Sequence, residues 1–143
     1  MDRQNRIDEQ LAGVPLFQGL SKKELRLISQ LATYLEKPAG AVLTQEGMVG
    51  HEFIIVLEGE VEIRQGDRVI ATRGPGSYVG EIALIDHRPR TATVIAKTPV
   101  AIEVIGQREF AGLLAEVPEL SQQLLAAVAR RLADLDRQES DES

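Results

Sequence analysis

Apolar residues recur along this chain first at helical spacing, then in short runs and alternations, and then at helical spacing again. The segment SKKELRLISQLATYL sets Leu25, Ile28, Leu31, Ala32 and Leu35 on one helical face, and Ser21 with Glu24 forms a capping box at its start. Before it, Pro15 and Gly19 interrupt LAGVPLFQGL, which predicts a short turn docking Leu16, Phe17 and Leu20 onto the core. From Lys37 to Ile105 the rhythm is that of strands separated by Gly, Pro and Asp. FIIVL is apolar throughout, so both faces are expected to be buried. EVEIR alternates, with Val61 and Ile63 on one face and Glu60, Glu62 and Arg64 on the other. QGDR (65–68) turns the chain into VIATR, and TATVIA and VAIEVI follow later.

After Ile105 the pattern predicts one helix ending before Pro118 and a second running from ELSQQ to a polar tail, ESDES, expected to be disordered. Leu125, Val128, Leu132 and Leu135 would form an apolar seam on that last helix, too short for a coiled coil. The predicted fold is mainly β with flanking helices, an α+β chain built on an antiparallel β-roll or jelly roll. It reads as a single domain over 1–143: N-terminal helices in 1–36, the roll in 37–105, two C-terminal lid helices in 106–138 and the tail in 139–143.

Composition narrows the chemistry. With 143 residues, 43% of them hydrophobic, the chain suits one domain with one sizeable core. Its 22 acidic and 16 basic side chains leave a net charge of −6, so bulk electrostatics supports neither nucleic-acid nor anionic-membrane binding. The absence of cysteine excludes disulfides and thiolate chemistry and suits a reducing cytoplasm. No apolar run reaches the ~20 residues of a membrane span, and the polar N-terminus is unlike a signal peptide. The expected location is cytoplasmic.

The candidate chemistry lies in GEIALIDHRPRTAT, residues 80–93. GPGSYVG is spaced wrongly for a dinucleotide fingerprint and stands among strands, and no triphosphate cradle is present. A singly charged phosphodiester fits better. One guanidinium, that of Arg90, neutralises it, and a helical turn at EIAL offers free N–H groups to the remaining lone pairs. Gly80 and Ala83 let a ligand approach the backbone, and Glu81 is suited to accept a sugar hydroxyl.

GEIAL followed by PRTATV resembles the phosphate-binding cassette of the cyclic nucleotide-binding domain family, which includes catabolite activator proteins, protein kinase regulatory subunits and cyclic-nucleotide-gated channels. LFQGLSKKEL, GHEFIIVLEGEVEI, GDRVIATRGPGSYVGEIAL and the two C-terminal helices follow the family's order across nearly the whole chain. The resemblance implies cyclic AMP or cyclic GMP as ligand, with no other cofactor, no metal and no catalysis. It makes Glu81 the acceptor for the ribose 2′-hydroxyl and Arg90 the partner of the exocyclic phosphate oxygens. Gly80, Ile82, Ala83 and Thr91 would line the site through their backbones, with Thr91 also reaching a purine edge. Val79 stands where the family usually has an aromatic residue, and His87 and Arg88 are additions to the loop.

Other readings predict different partners. A ligand-free version of the domain would serve in dimerisation, a homodimer through the C-terminal helix being the natural form. A catabolite-activator-type regulator would need a helix-turn-helix after the long helix, and the sequence ends at RQESDES without one. No direct nucleic-acid or membrane contact is expected of this segment. A cupin-like metalloenzyme would need more ligands than His51 and His87 supply without an H-x-H pair.

Overall fold

The protein's structure, a computed structural model, describes residues 3–80 and 89–142, with the side chains of the last helix described to Arg130 and at Ala133. Helix α1 spans Arg3–Ala12, a 3-10 turn Pro15–Phe17 and helix α2 Lys22–Leu31. The strands are β1 Thr33–Lys37, β2 Val42–Thr44, β3 Glu52–Glu58, β4 Val61–Gln65, β5 Arg68–Arg73, β6 Tyr78–Val79, β7 Thr93–Ala96 and β8 Val100–Gly106. Helices α3 Gln107–Glu116 and α4 Pro118–Glu142 close the order.

The strands form two antiparallel sheets, ordered β1-β8-β3-β6 and β2-β7-β4-β5. Between them lies a core of Ile54, Val56, Val61, Ile63, Val94 and Ile102. The other face of the first sheet packs Phe53, Ile55, Leu57, Ala101 and Ile105 against the helices. The β3 run is therefore apolar throughout because its sheet is the middle of three layers, as the continuous FIIVL pattern predicted. Val61 and Ile63 point into the core while Glu62 and Arg64 pair on the outer face at 2.8 Å.

Ser21 and Glu24 form the expected capping box, each bonding the other's backbone N–H. The helix stops earlier than its periodicity suggested. Ala32 takes an extended backbone, Leu31 is 38% exposed, and Leu35 lies in β1, facing the inter-sheet core. TYLEK is instead the edge partner of β8, so the first sheet begins at Thr33 rather than at Lys37. Leu16 and Phe17 are buried, as expected for the docking turn.

Two expectations for the C-terminus are corrected. The tail ESDES was expected to be disordered, yet α4 runs through Glu142; neither Gly nor Pro after Pro118 interrupts it. The seam also departs from prediction, since Leu120, Leu124 and Val128 are buried while Leu125 is 67% exposed. Among its remaining positions, the side chains of Leu132 and Leu135 lie outside the described residues. Gln123 donates to the Gln18 carbonyl, tying α4 to the end of the 3-10 turn.

Glu103 is the buried charged residue among those described, 1% exposed on the helix-facing side of β8 between Tyr34 and Ile55. Its Oε2 has no hydrogen-bond partner, and burial pushes its pKa up to about 7. Tyr34 is raised as well, by burial first and then by its hydrogen bond to Glu36.

Candidate ligand-binding site

Three backbone segments meet around Arg90. The loop before β3 passes alongside it: Arg90 donates its N–H to the Met48 carbonyl and accepts from the Gly47 N–H, both at 2.8 Å. An isolated bridge between Val49 and Pro89 extends this pairing by one residue. The main chain of Arg90 is therefore clamped on both polar groups, which fixes the direction in which its long side chain leaves.

That side chain runs between two glycines. A methyl group at Gly50 would sit 2.5 Å from Nη2 and 2.6 Å from Cζ, an overlap that only a displaced guanidinium could relieve. Gly80, at φ +96°, has a backbone conformation suited to glycine, and a Cβ on it would meet the Glu52 carbonyl and lie 2.7 Å from Nη1. Nη2 donates to that same Glu52 carbonyl at 2.6 Å. One end of the guanidinium is thus anchored to the first residue of β3, in a slot that β6 completes by pairing Val79 with Ile54.

Arg90 lines a hollow of about 260 Å³ together with Met48, Val49, Gly50, His51 and Glu52. Met48 and Val49 are 61% and 50% exposed at its rim. A fixed cation beside exposed apolar side chains suits a small anion carrying an apolar body. A larger hollow, about 340 Å³, lies at the other end of β3, where Glu36 and Glu58 contribute two carboxylates against the one ammonium of Lys37, a balance less suited to an anion. Among the described residues, no group of three His, Cys, Asp or Glu side chains is arranged to hold a metal, and no helix is long and apolar enough to cross a membrane.

Of the residues singled out from sequence, Gly80 and Arg90 are brought together. Thr91 is exposed, and its carbonyl accepts from Gln65 Nε2 at 3.3 Å. Glu81, Ile82 and Ala83, with the EIAL turn and the loop residues His87 and Arg88, lie outside the described residues. Sequence reasoning missed the part played by Gly50, although the glycine pair in GMVG preceding a strand was a signal of close backbone approach.

A family model described as the cyclic nucleotide-binding domain matches residues 35–117. A Pycsar effector protein of Xanthomonas perforans is 34% identical over 101 residues, covering 70% of this chain and 33% of that protein. A cAMP-dependent protein kinase regulatory subunit of Yarrowia lipolytica is 37% identical over 118 residues, covering 80% of this chain and 31% of that one. The chain thus spans about a third of the length of these relatives. Among solved structures, the catabolite activator protein of Thermus thermophilus superposes with a TM-score of 0.81 at 27% identity, over 88% of this chain and 62% of that one. The family match over residues 35–117, on a chain folded as this double sheet with its flanking helices, makes this chain a member of the cyclic nucleotide-binding domain family.

Proposed function

We propose that the chain is a non-catalytic sensor that binds cyclic AMP or cyclic GMP and passes occupancy to its C-terminal helices. The observation that carries this reading is the Arg90 guanidinium, held between Gly50 and Gly80 and anchored at one end. Holding a guanidinium in place lowers the cost of ordering it when a phosphodiester arrives. Glu81 would accept the ribose 2′-hydroxyl, with the Gly80, Ile82, Ala83 and Thr91 backbones lining the site. The ligand's exocyclic oxygens would pair with the guanidinium that this slot holds.

The route to the helices is short. Phe53, next to Glu52, packs on Phe110 of α3 with ring centroids 5.0 Å apart. A change at the slot therefore reaches α3 through adjacent residues, and α4 follows across Pro118. Leu125, exposed on α4, is where a second copy would pack in the homodimer this reading allows.

The competing reading makes Arg90 a lock for the loop, because its guanidinium donates to a backbone carbonyl of its own chain. Calorimetric titration with cyclic AMP and cyclic GMP separates the two. Saturable binding that Arg90→Leu abolishes supports the sensor. Absence of binding to either nucleotide in the wild type leaves the lock.

A further inference from the structure

The β4–β5 hairpin does something beyond closing its sheet. The β4–β7 ladder ends at Arg64 paired with Thr93, one residue short of the hairpin turn. Past that end, Gln65 Nε2 reaches the Thr91 carbonyl at 3.3 Å, adding a side-chain rung where the backbone ladder has stopped. At the turn, the Gly66 N–H donates to Glu46 Oε1 at 3.0 Å, so the hairpin tip is also tied to the loop before β3. The loop returns to the third segment twice: the Glu46 N–H donates to Thr93 Oγ1 at 2.9 Å, and the Gly47 N–H to the Arg90 carbonyl at 2.8 Å.

These bonds close a ring through residues 46–47, 65–66 and 90–93, with Arg90 and Thr91 as its shared side. We propose that Gln65 and Glu46 are positioning residues for the ligand-binding arginine, setting the backbone angle from which its guanidinium enters the slot between Gly50 and Gly80. The inference rests on the reading of Arg90 as the phosphate partner. Its physical basis is leverage, because a long side chain magnifies small rotations of its own backbone. The slot leaves little room, since a single methyl at either glycine would collide with the guanidinium. Opening the ring at Gln65 or Glu46 leaves the 90–91 backbone held only by Gly47 and Met48, so it tilts more easily and the fraction of molecules with the guanidinium correctly placed falls, which reduces apparent affinity in proportion.

The test uses the full chain with Gln65→Ala, Glu46→Ala, Glu46→Gln and, as a control in the same turn, Asp67→Asn. Two quantities are measured: affinity for cyclic AMP and cyclic GMP, and hydrogen exchange of the Arg90 amide in the free protein. Gln65→Ala and Glu46→Ala should each weaken binding about fivefold, the scale of one hydrogen bond, and speed Arg90 exchange by a similar factor. Glu46→Gln keeps an acceptor for Gly66 and should restore most of the affinity, and Asp67→Asn should change neither quantity. A lower melting temperature with unchanged affinity and unchanged Arg90 exchange would make the two side chains merely structural and overturn the proposal. An equal effect of Asp67→Asn would overturn it too, by assigning the loss to charge at the turn. If the wild type binds neither nucleotide, the sensor reading fails by itself and Arg90 exchange alone decides: faster exchange in both alanine variants upholds the positioning role, and unchanged exchange ends it.

Discussion

Gln107 donates its backbone N–H to the His51 carbonyl at 2.8 Å, so helix α3 begins on the residue beside Glu52, whose own carbonyl holds Arg90. The start of the C-terminal helices and the anchor of the candidate phosphate partner are one residue apart on the same strand end. No linker separates the Glu52 end of β3 from the start of α3.

Hydrogen exchange should register this directly. On adding cyclic nucleotide, protection is expected to rise in residues 107–135 as well as in 80–93. A ~100-fold preference of ligand for the closed arrangement supplies about 2.7 kcal/mol. A rise confined to 80–93 would make the domain a passive binder.

Gly50→Ala is expected to remove binding with little loss of stability. Its backbone φ lies outside the left-handed region, so alanine strains nothing locally, but the new methyl occupies the space of the guanidinium. Affinity should fall by several kcal/mol, comparable to Arg90→Leu, because the phosphate charge is left without its partner. Calorimetry together with a melting curve checks both halves.

Glu103 predicts a pH dependence. Its folded pKa of about 7 lies above the ordinary value of 4.5, so the folded state binds the proton more tightly than the unfolded state. Its contribution to stability is then full below about pH 4.5, falls as pH rises toward 7, and levels off above, with a loss from this group of about 3 kcal/mol. Glu103→Gln should remove that slope and leave the protein more stable than wild type at pH 8. Urea unfolding at pH 5 and pH 8 measures it.

Thr91→Ala tests base choice. Thr91 is an exposed residue, and its hydroxyl would accept from the 2-amino group of guanine in a syn nucleotide. The variant should weaken cyclic GMP more than cyclic AMP by about 1 kcal/mol. Equal losses in paired titrations would remove Thr91 from base reading.

Phe110→Ala should cost about 3–5 kcal/mol, since the ring is 1% exposed and packs at a tilt against Phe53. Denaturant titration gives the number.

The layered roll was legible because periodicity reports burial directly. FIIVL, apolar at every position, could only be a strand covered on both faces, and EVEIR could only be half-buried. What escaped was decided by pairing rather than pattern. Leu35 continues the helical spacing of α2, yet it belongs to a strand because β8 offers TYLEK an edge to pair with. Leu125 and Leu124 are chemically equal, and which one is buried depends on how α4 rolls against the 3-10 turn. In the candidate site, Gly80 and Arg90 stand close in the chain and could be read together. Gly50 lies forty residues before Arg90, and nothing local to GMVG names the side chain that fills its missing Cβ. The Gln65 and Glu46 contacts were invisible for the same reason.

The three-layer arrangement bears on how β3 keeps its alignment. In most strands a slip of one residue is punished because it turns apolar side chains to water. Between its exposed ends, Glu52 and Glu58, strand β3 is buried on both faces, so the contrast between faces does little to fix its register. Side-chain shape does more: Phe53, Ile55 and Leu57 pack into the core beneath the helices, whereas Ile54 and Val56 pack against Val61, Ile63 and Val94 between the sheets. A slip would drive the Phe53 ring into a gap shaped for β-branched side chains and leave a hollow under α3. The Glu52 carbonyl, and with it the anchor of Arg90, therefore keeps its place through the volume of side chains that never touch the ligand.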